Sequence, residues 1–231
     1  MLPLIDFHIH STFSDGLYGL NEIARYAYEK GFYAIGITDH FSTRKVRSMD
    51  TAVIKRYLEE IESIDIPLKI FKGLEIDFSP RTDISLIGGK IFEGLDYILF
   101  EYVGDISMGG YPLWKLLDIY DDIGLPIGLA HNNLQKNFSS IEMDNFLDLL
   151  ETHQIFVEVN TNKNYSILGD YYYSLSDEFF KKFKDRDIPV SIGSDMHENL
   201  DEMLNVSRGI NFIESLGIEE NVKIFLKMLN I

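Results

Sequence analysis

Seven short apolar, β-branched runs recur along the chain, separated by helical patterns. They cover residues 4–8, 34–38, 69–76, 96–103, 126–130, 155–160 and 189–193, with starts roughly 30 residues apart, the length of one strand–helix unit. They read as nearly continuous hydrophobics rather than apolar–polar alternation, as strands covered on both faces do. Strict alternation of strand and helix implies a parallel sheet with right-handed crossovers. A closed barrel and an open doubly wound sheet both satisfy that rule. No glycine-rich phosphate loop follows the first run, which counts against a dinucleotide-binding open sheet. At 231 residues and 45% hydrophobic content, the expectation is one α/β barrel domain over 1–231, with additional helices at about 199–231.

The helical stretches carry their own signals. Leu20, Ile23, Ala24 and Ala27 follow i, i+3, i+4, i+7, and Gly31 is placed to end that helix. Ile54, Tyr57, Leu58 and Ile61 repeat the pattern, as do Met143, Phe146, Leu147 and Leu150, where Ser139 and Glu142 suggest a capping box. Two more helices are expected around 200–214 and 222–229, and their acidic character reads as a solvated barrel exterior. Residues 41–50, 79–85, 104–111 and 160–170 read as loops.

The polar residues decide between barrel and open sheet, because each predicted strand ends in a side chain able to bind metal. The first ends in His8 and His10, followed by Asp15; the second in Asp39 and His40; the third carries Glu75 and Asp77; the fourth carries Glu101. The fifth ends in His131, the sixth in Glu158 and Asn160, the seventh in Asp195 and His197. A parallel barrel gathers all these ends on one face, whereas an open sheet spreads them along a line. In extended backbone, residues i and i+2 point the same way, so His8 and His10 can aim at one ion, as can Asp195 and His197. Asp39 and Ser194 suit caps or partners of ligands better than ligands. The sixth histidine, His153, falls at a helix C-terminus and reads as structural. Tyr171, Tyr172 and Tyr173, with Phe179 and Phe180, read as helix packing.

Cysteine is absent, so any metal must be held by nitrogen and oxygen, which suits Zn, Mn, Fe or Mg. The formal charge of -16 disfavours a long nucleic-acid partner, whose affinity rests on Lys and Arg neutralising phosphates. A small phosphorylated ligand is not so constrained. No apolar run approaches the ~20 residues of a membrane span. The opening MLPLIDFHIH lacks the basic and apolar regions of a signal peptide, so a cytoplasmic protein is expected.

The motifs Asp6-Phe7-His8-Ile9-His10-Ser11, Ser14-Asp15-Gly16, Ile37-Thr38-Asp39-His40, Gly73-Leu74-Glu75, Ala130-His131, Val157-Glu158-Val159-Asn160 and Gly193-Ser194-Asp195-Met196-His197 together resemble the PHP family, named for polymerase and histidinol phosphatase. They occur in that family's order across residues 6–197. The resemblance implies a distorted (β/α)7 TIM-like barrel, two or three divalent ions (Zn, Mn or Fe) and hydrolysis of phosphate esters. It implies that His8, His10, Glu75 and Asp195 surround a first ion. Glu75 would bridge to a second that His131 binds, and Asp15, His40 and His197 would hold a third. One departure stands out. Many members carry a histidine ligand near the end of strand four, where this chain has Glu101. As an oxygen ligand Glu101 would harden the second site toward Mn or Mg; pointed elsewhere, it would leave two well-bound ions.

The expected activity is that of a phosphatase acting on a small phosphorylated metabolite through a metal-held hydroxide, with the ions neutralising phosphoryl charge. Asp195, His197 and Glu75 are the expected catalytic side chains, and Arg44, Arg47 and Arg81 the candidates to grip phosphate. Histidinol phosphatase, nucleotide phosphatase and nuclease are alternative versions. An amidohydrolase barrel would place a lysine at the end of strand four instead of Glu101. A non-catalytic barrel scaffold would be basic and short of strand-end histidines, and this chain is neither.

Overall fold

The computed structural model describes residues 2–162 and 171–231. Seven strands run parallel and pair in chain order: β1 (Ile5–Asp6), β2 (Ala34–Ile37), β3 (Lys69–Asp77), β4 (Tyr97–Glu101), β5 (Ile127–Leu129), β6 (Phe156–Asn160) and β7 (Val190–Gly193). All seven fall on the predicted runs. β1 is shorter than expected because past Asp6 the chain changes partner. Phe7 N donates to Ile192 O (2.8 Å), Asp195 N donates to His8 O (2.7 Å), and Ile9 bridges Met196 in parallel. The buried Asp6 carboxylate also accepts from Ser194 N (2.9 Å). First and last strands are thereby joined, and the sheet closes into a barrel.

Side-chain alternation divides the barrel interior into a dry end and a polar end. The register pairs Gly73 with Tyr97, Glu75 with Leu99 and Asp77 with Glu101, and the period of two keeps these rows on one face. At the dry end the Tyr97 ring lies across the barrel and its hydroxyl donates to Phe7 O (2.7 Å). Gly36 makes room for it, since a Cβ there would come within 2.0 Å of the Tyr97 hydroxyl.

Among the described residues, five helices reach ten residues: α1 (Leu20–Glu29), α2 (Thr51–Glu62), α3 (Met143–Thr152), α4 (Val206–Leu216) and α5 (Glu219–Met228). In α1 the expected Leu20, Ile23, Ala24 and Ala27 are buried, and Gly31 follows its C-cap with φ 78°. In α2, Ile54, Tyr57 and Ile61 are buried while Leu58 is half-buried. The Tyr57 hydroxyl donates to Ile37 O (2.8 Å) and Gly73 O (2.9 Å), fastening α2 to β2 and β3. The expected capping box before α3 does not form. The helix starts one residue after Glu142, so Glu142 is itself the N-cap and accepts from Asn145 N, while Ser139 donates to Lys136 O.

The tail helices are also more than a solvated exterior. From α5, Phe225 is fully buried, with its ring centroid 4.9 Å from Phe7 and 4.8 Å from Phe156. It plugs the dry end of the barrel, because the acidic face of α5 is matched by an apolar one bearing Val222, Phe225 and Leu226. His153 is the C-cap of α3, Tyr173 stacks on Tyr171 and packs on Phe212, and Phe179 and Phe180 are buried, so these aromatics serve packing. The expected loop 160–170 lies outside the described residues from 163 onward. No helix among the described residues is long and apolar enough to cross a membrane.

Candidate metal centre

At the polar end, the strand-end side chains of the sequence meet. His8, His10, Glu75 and Asp195 approach one another most closely. His8 Nε2 and His10 Nε2 lie 3.1 Å apart, and each is 3.3 Å from Glu75 Oε2. Asp195 Oδ1 lies 3.6 Å from His8 Nε2 and 3.2 Å from His10 Nε2. Four donors around an ion at zinc–nitrogen bond length sit about 3.3–3.4 Å apart at tetrahedral corners. The five measured separations bracket that value. Asp195 Oδ1 is buried without any hydrogen-bond donor, a costly state for a carboxylate oxygen unless a cation answers it. These residues therefore fit one divalent ion.

Two further groups adjoin the first. Glu75 sits at the junction: its Oε2 faces His8, His10 and His40 Nδ1 (3.2 Å), while its Oε1 faces His131 Nε2 (2.8 Å). Glu101 closes this second group, with Oε2 3.9 Å from His131 Nε2 and Oε1 3.9 Å from His40 Nδ1. In the third group, Asp15 Oδ1 lies 3.8 Å from His40 Nε2 and 3.5 Å from His197 Nε2. The same Asp15 oxygen is 3.8 Å from His10 Nδ1. Asp15 Oδ1, His40 Nδ1 and Glu101 Oε1 are again buried atoms lacking hydrogen-bond partners.

The backbone and a ring of supporting side chains aim these donors. His131 and Asp195 both take positive φ, 28° and 55°. That sparsely populated conformation costs a non-glycine residue about 1–3 kcal/mol and clusters at functional sites. Glu158, on β6, receives His8 Nδ1 at 2.8 Å on one oxygen and His131 N at 2.7 Å on the other. His8 thus keeps Nε2 for the cluster, the arrangement in which a carboxylate orients a metal-binding imidazole. His197 Nδ1 lies 2.9 Å from Asp195 O, which likewise leaves Nε2 toward Asp15. Asp39 is no member of the cluster. Its carboxylate accepts from Ser11 N (2.8 Å), Ser11 Oγ (2.6 Å), Ser14 N (3.0 Å) and Ser14 Oγ (2.6 Å), folding the loop that presents Asp15.

Proton affinities follow from this crowding. Burial alone depresses the His10 ring, but the Asp195 and Glu75 carboxylates beside it overcome that and push it up to about 10. The same balance raises His8 and His131. Burial lowers His40 to about 3, outweighing the attraction of Glu75. Burial and the neighbouring Glu75 charge raise Glu101 to about 7. Burial works to raise Asp195 and Glu75, yet the surrounding imidazoles hold both well below the usual carboxylate range. Without metal, then, His8, His10 and His131 favour the protonated form that balances the carboxylates, and an ion entering the cluster competes with those protons.

The predicted phosphate-gripping arginines sit apart from the donors. Arg81 is held by Asp77 through Nε (2.6 Å) and Nη2 (3.2 Å) and donates to Met108 O (2.9 Å). Arg44 is exposed, and Arg47 lines a shallow depression with Phe13 and Arg56. The mouth itself, about 410 Å³, is lined by Asp15, His40, Lys45, Val46, Asn162, His197, Glu198 and Glu202. Lys45 has no signal in the sequence, since a lone lysine in a loop carries no motif and lacks the phosphate-matching fork of arginine.

The PHP domain model matches residues 6–207. The DNA polymerase/3'-5' exonuclease PolX of Bacillus subtilis is 25% identical over 210 residues, covering 86% of this chain but 35% of that protein. The chain thus spans about a third of that relative's length. A Thermotoga maritima protein named as a probable histidinol-phosphatase is 24% identical, and the match covers 97% of this chain and 100% of the relative. Among solved structures, histidinol phosphate phosphatase from Lactococcus lactis, complexed with Zn, L-histidinol and phosphate, superposes with a TM-score of 0.64. Its identity is 16% over 94% of this chain and 95% of that one, a likeness of fold. A family match that begins at the Asp6–His10 motif, runs past His197 and covers the whole barrel makes this chain a member of the PHP domain family.

Proposed function

We propose that the chain is a metal-dependent phosphatase hydrolysing a phosphomonoester of a small metabolite. The observation that carries this reading is the joint placement of His8, His10, Glu75 and Asp195 at the spacing of a single ion, with two further donor groups sharing Glu75 and His40 beside it. His8, His10, Glu75 and Asp195 would hold the first ion; Glu75, Glu101 and His131 belong to the second position; Asp15, His40 and His197 would hold the third. Divalent ions bound there neutralise phosphoryl oxygens and make water nucleophilic at neutral pH.

The chain's own residues supply the rest. Glu158 keeps the His8 ring oriented. With Oδ1 given to the first ion, the other Asp195 oxygen, Oδ2, would take the proton of the attacking water. With His197 Nδ1 at Asp195 O and Nε2 directed to the third position, His197 would act by holding its ion, and the proton for the leaving alkoxide would come from solvent at the mouth. Arg44 and Arg47, exposed on the loop after β2, are available to a phosphate, whereas the Arg81 fork is committed to Asp77. The mouth suits a small ligand, and the charge of -16 opposes a long polyanion. The relative matched along its whole length is a probable histidinol-phosphatase, which favours a small alcohol phosphate over a polymer.

The test is turnover of an aryl phosphate by the stripped protein with and without added Mn, Zn or Fe, followed by a panel of phosphorylated metabolites. Metal-stimulated hydrolysis is expected, lost with a chelator and reduced about 100-fold or more in His131→Ala and Asp195→Asn. Turnover indifferent to metal, or surviving Asp195→Asn, would rule the reading out.

A further inference from the structure

Glu101 is the carboxylate that distinguishes this cluster, and it does not face the mouth alone. It is fully buried at the end of β4, and its Oε2 accepts from Lys45 Nζ at 3.0 Å. Among the described residues, Lys45 is the one lysine or arginine within ion-pair distance of any donor assigned to the cluster. Asp77, which pairs with Glu101 across the β3–β4 register, is already answered by Arg81 and by the Thr43 hydroxyl (3.1 Å). Lys45 is held where it is. Its backbone N–H donates to Thr43 Oγ1 (3.1 Å), its ammonium lies 4.7 Å from the Tyr102 ring centre, and its side chain is 28% exposed.

Resting on the metal-centre reading above, we infer that the Lys45 ammonium takes the second cation's place, so that the chain holds two ions tightly and balances Glu101 with a protein cation instead of a third. Among the described residues, the first and third groups contain no such ammonium. With Glu101 paired to Lys45, the carboxylates of Asp15, Glu75 and Asp195 remain for metal. Two divalent ions more than neutralise those three charges, leaving the donor set itself net positive toward a phosphate dianion, with Glu198 and Glu202 at the rim of the mouth. A further divalent ion drawn to Glu101 has to displace the ammonium or sit against its charge.

The inference is read by counting ions. Wild-type protein and Lys45→Met are stripped with a chelator, reloaded with excess Mn, desalted and analysed for Mn per chain, with melting curves to verify folding. Wild type should retain close to two ions and Lys45→Met close to three, with Mn affinity at the weakest site raised about tenfold. Lys45→Gln should behave like Lys45→Met. The double variant Lys45→Met with Glu101→Gln should return to close to two, because the carboxylate is gone. Wild type retaining three ions, or a lysine variant retaining no more than wild type, overturns the Lys45 assignment and leaves the metal centre standing. Wild type retaining none overturns the metal centre itself.

Discussion

Glu158 illustrates how much of a metal centre resides in a residue that need not touch the ion. Its two oxygens serve His8 Nδ1 and the His131 backbone, so one carboxylate orients a side chain from β1 and anchors the end of β5. Gly193 exists to admit it, since a Cβ there would stand 2.1 Å from Glu158 Oε1 and 2.4 Å from His8 Cβ. Glu158→Gln keeps the size but loses the charge that orients and polarises the imidazole. Metal affinity at the first position should fall about 10–100-fold with little change in melting temperature. Isothermal titration with Mn checks this, and an unchanged affinity would reduce Glu158 to packing. The sequence singled out Glu158 as a metal-type strand end but gave no sign of which side chain it serves. That depends on barrel closure setting β6 one strand beyond β7 from β1, a relation between residues 150 positions apart.

At the scale of elements, the loop following β1 is a small folded unit organised by the end of β2. Asp39 takes four hydrogen bonds from Ser11 and Ser14, and Asp15 follows directly. Asp39→Ala takes the acceptor from two buried hydroxyls and from the Ser11 N–H, while the Ser14 N–H keeps Ser11 O. It should cost about 3 kcal/mol in denaturant unfolding and weaken the ion held by Asp15, His40 and His197 more than the first. Equal loss at every site would mean the loop is not a separate unit. The helices were legible where a single face is apolar, as in α1. The capping box was misjudged because Ser139 and Glu142 have the right spacing, yet that signature cannot say which residue starts the helix. The strand ends were legible to within about two residues, and β1 stops two residues early because its hydrogen bonds switch from β2 to β7 at the barrel seam.

For the molecule as a whole, the two barrel ends divide stability from chemistry. Phe225 seals the dry end against Phe7 and Phe156, which lie one residue before His8 and two before Glu158. Phe225→Ala should destabilise the chain by about 3–5 kcal/mol, lowering the melting temperature by about 2–4 °C for each of them. The folded variant should still bind its full complement of Mn. A loss below about 1 kcal/mol would show that α5 lies outside the cooperative core. By itself the sequence determined the alternation of strands and helices, the barrel, and the residue types at each strand end, because periodicity and strand direction are local properties repeated along the chain. Only the tertiary structure decided which donors share a position, that Glu158 orients His8, that Lys45 answers Glu101, and that the tail helix plugs the barrel. Those are distances between segments remote in sequence, set by how the closed sheet brings strand ends around a common axis.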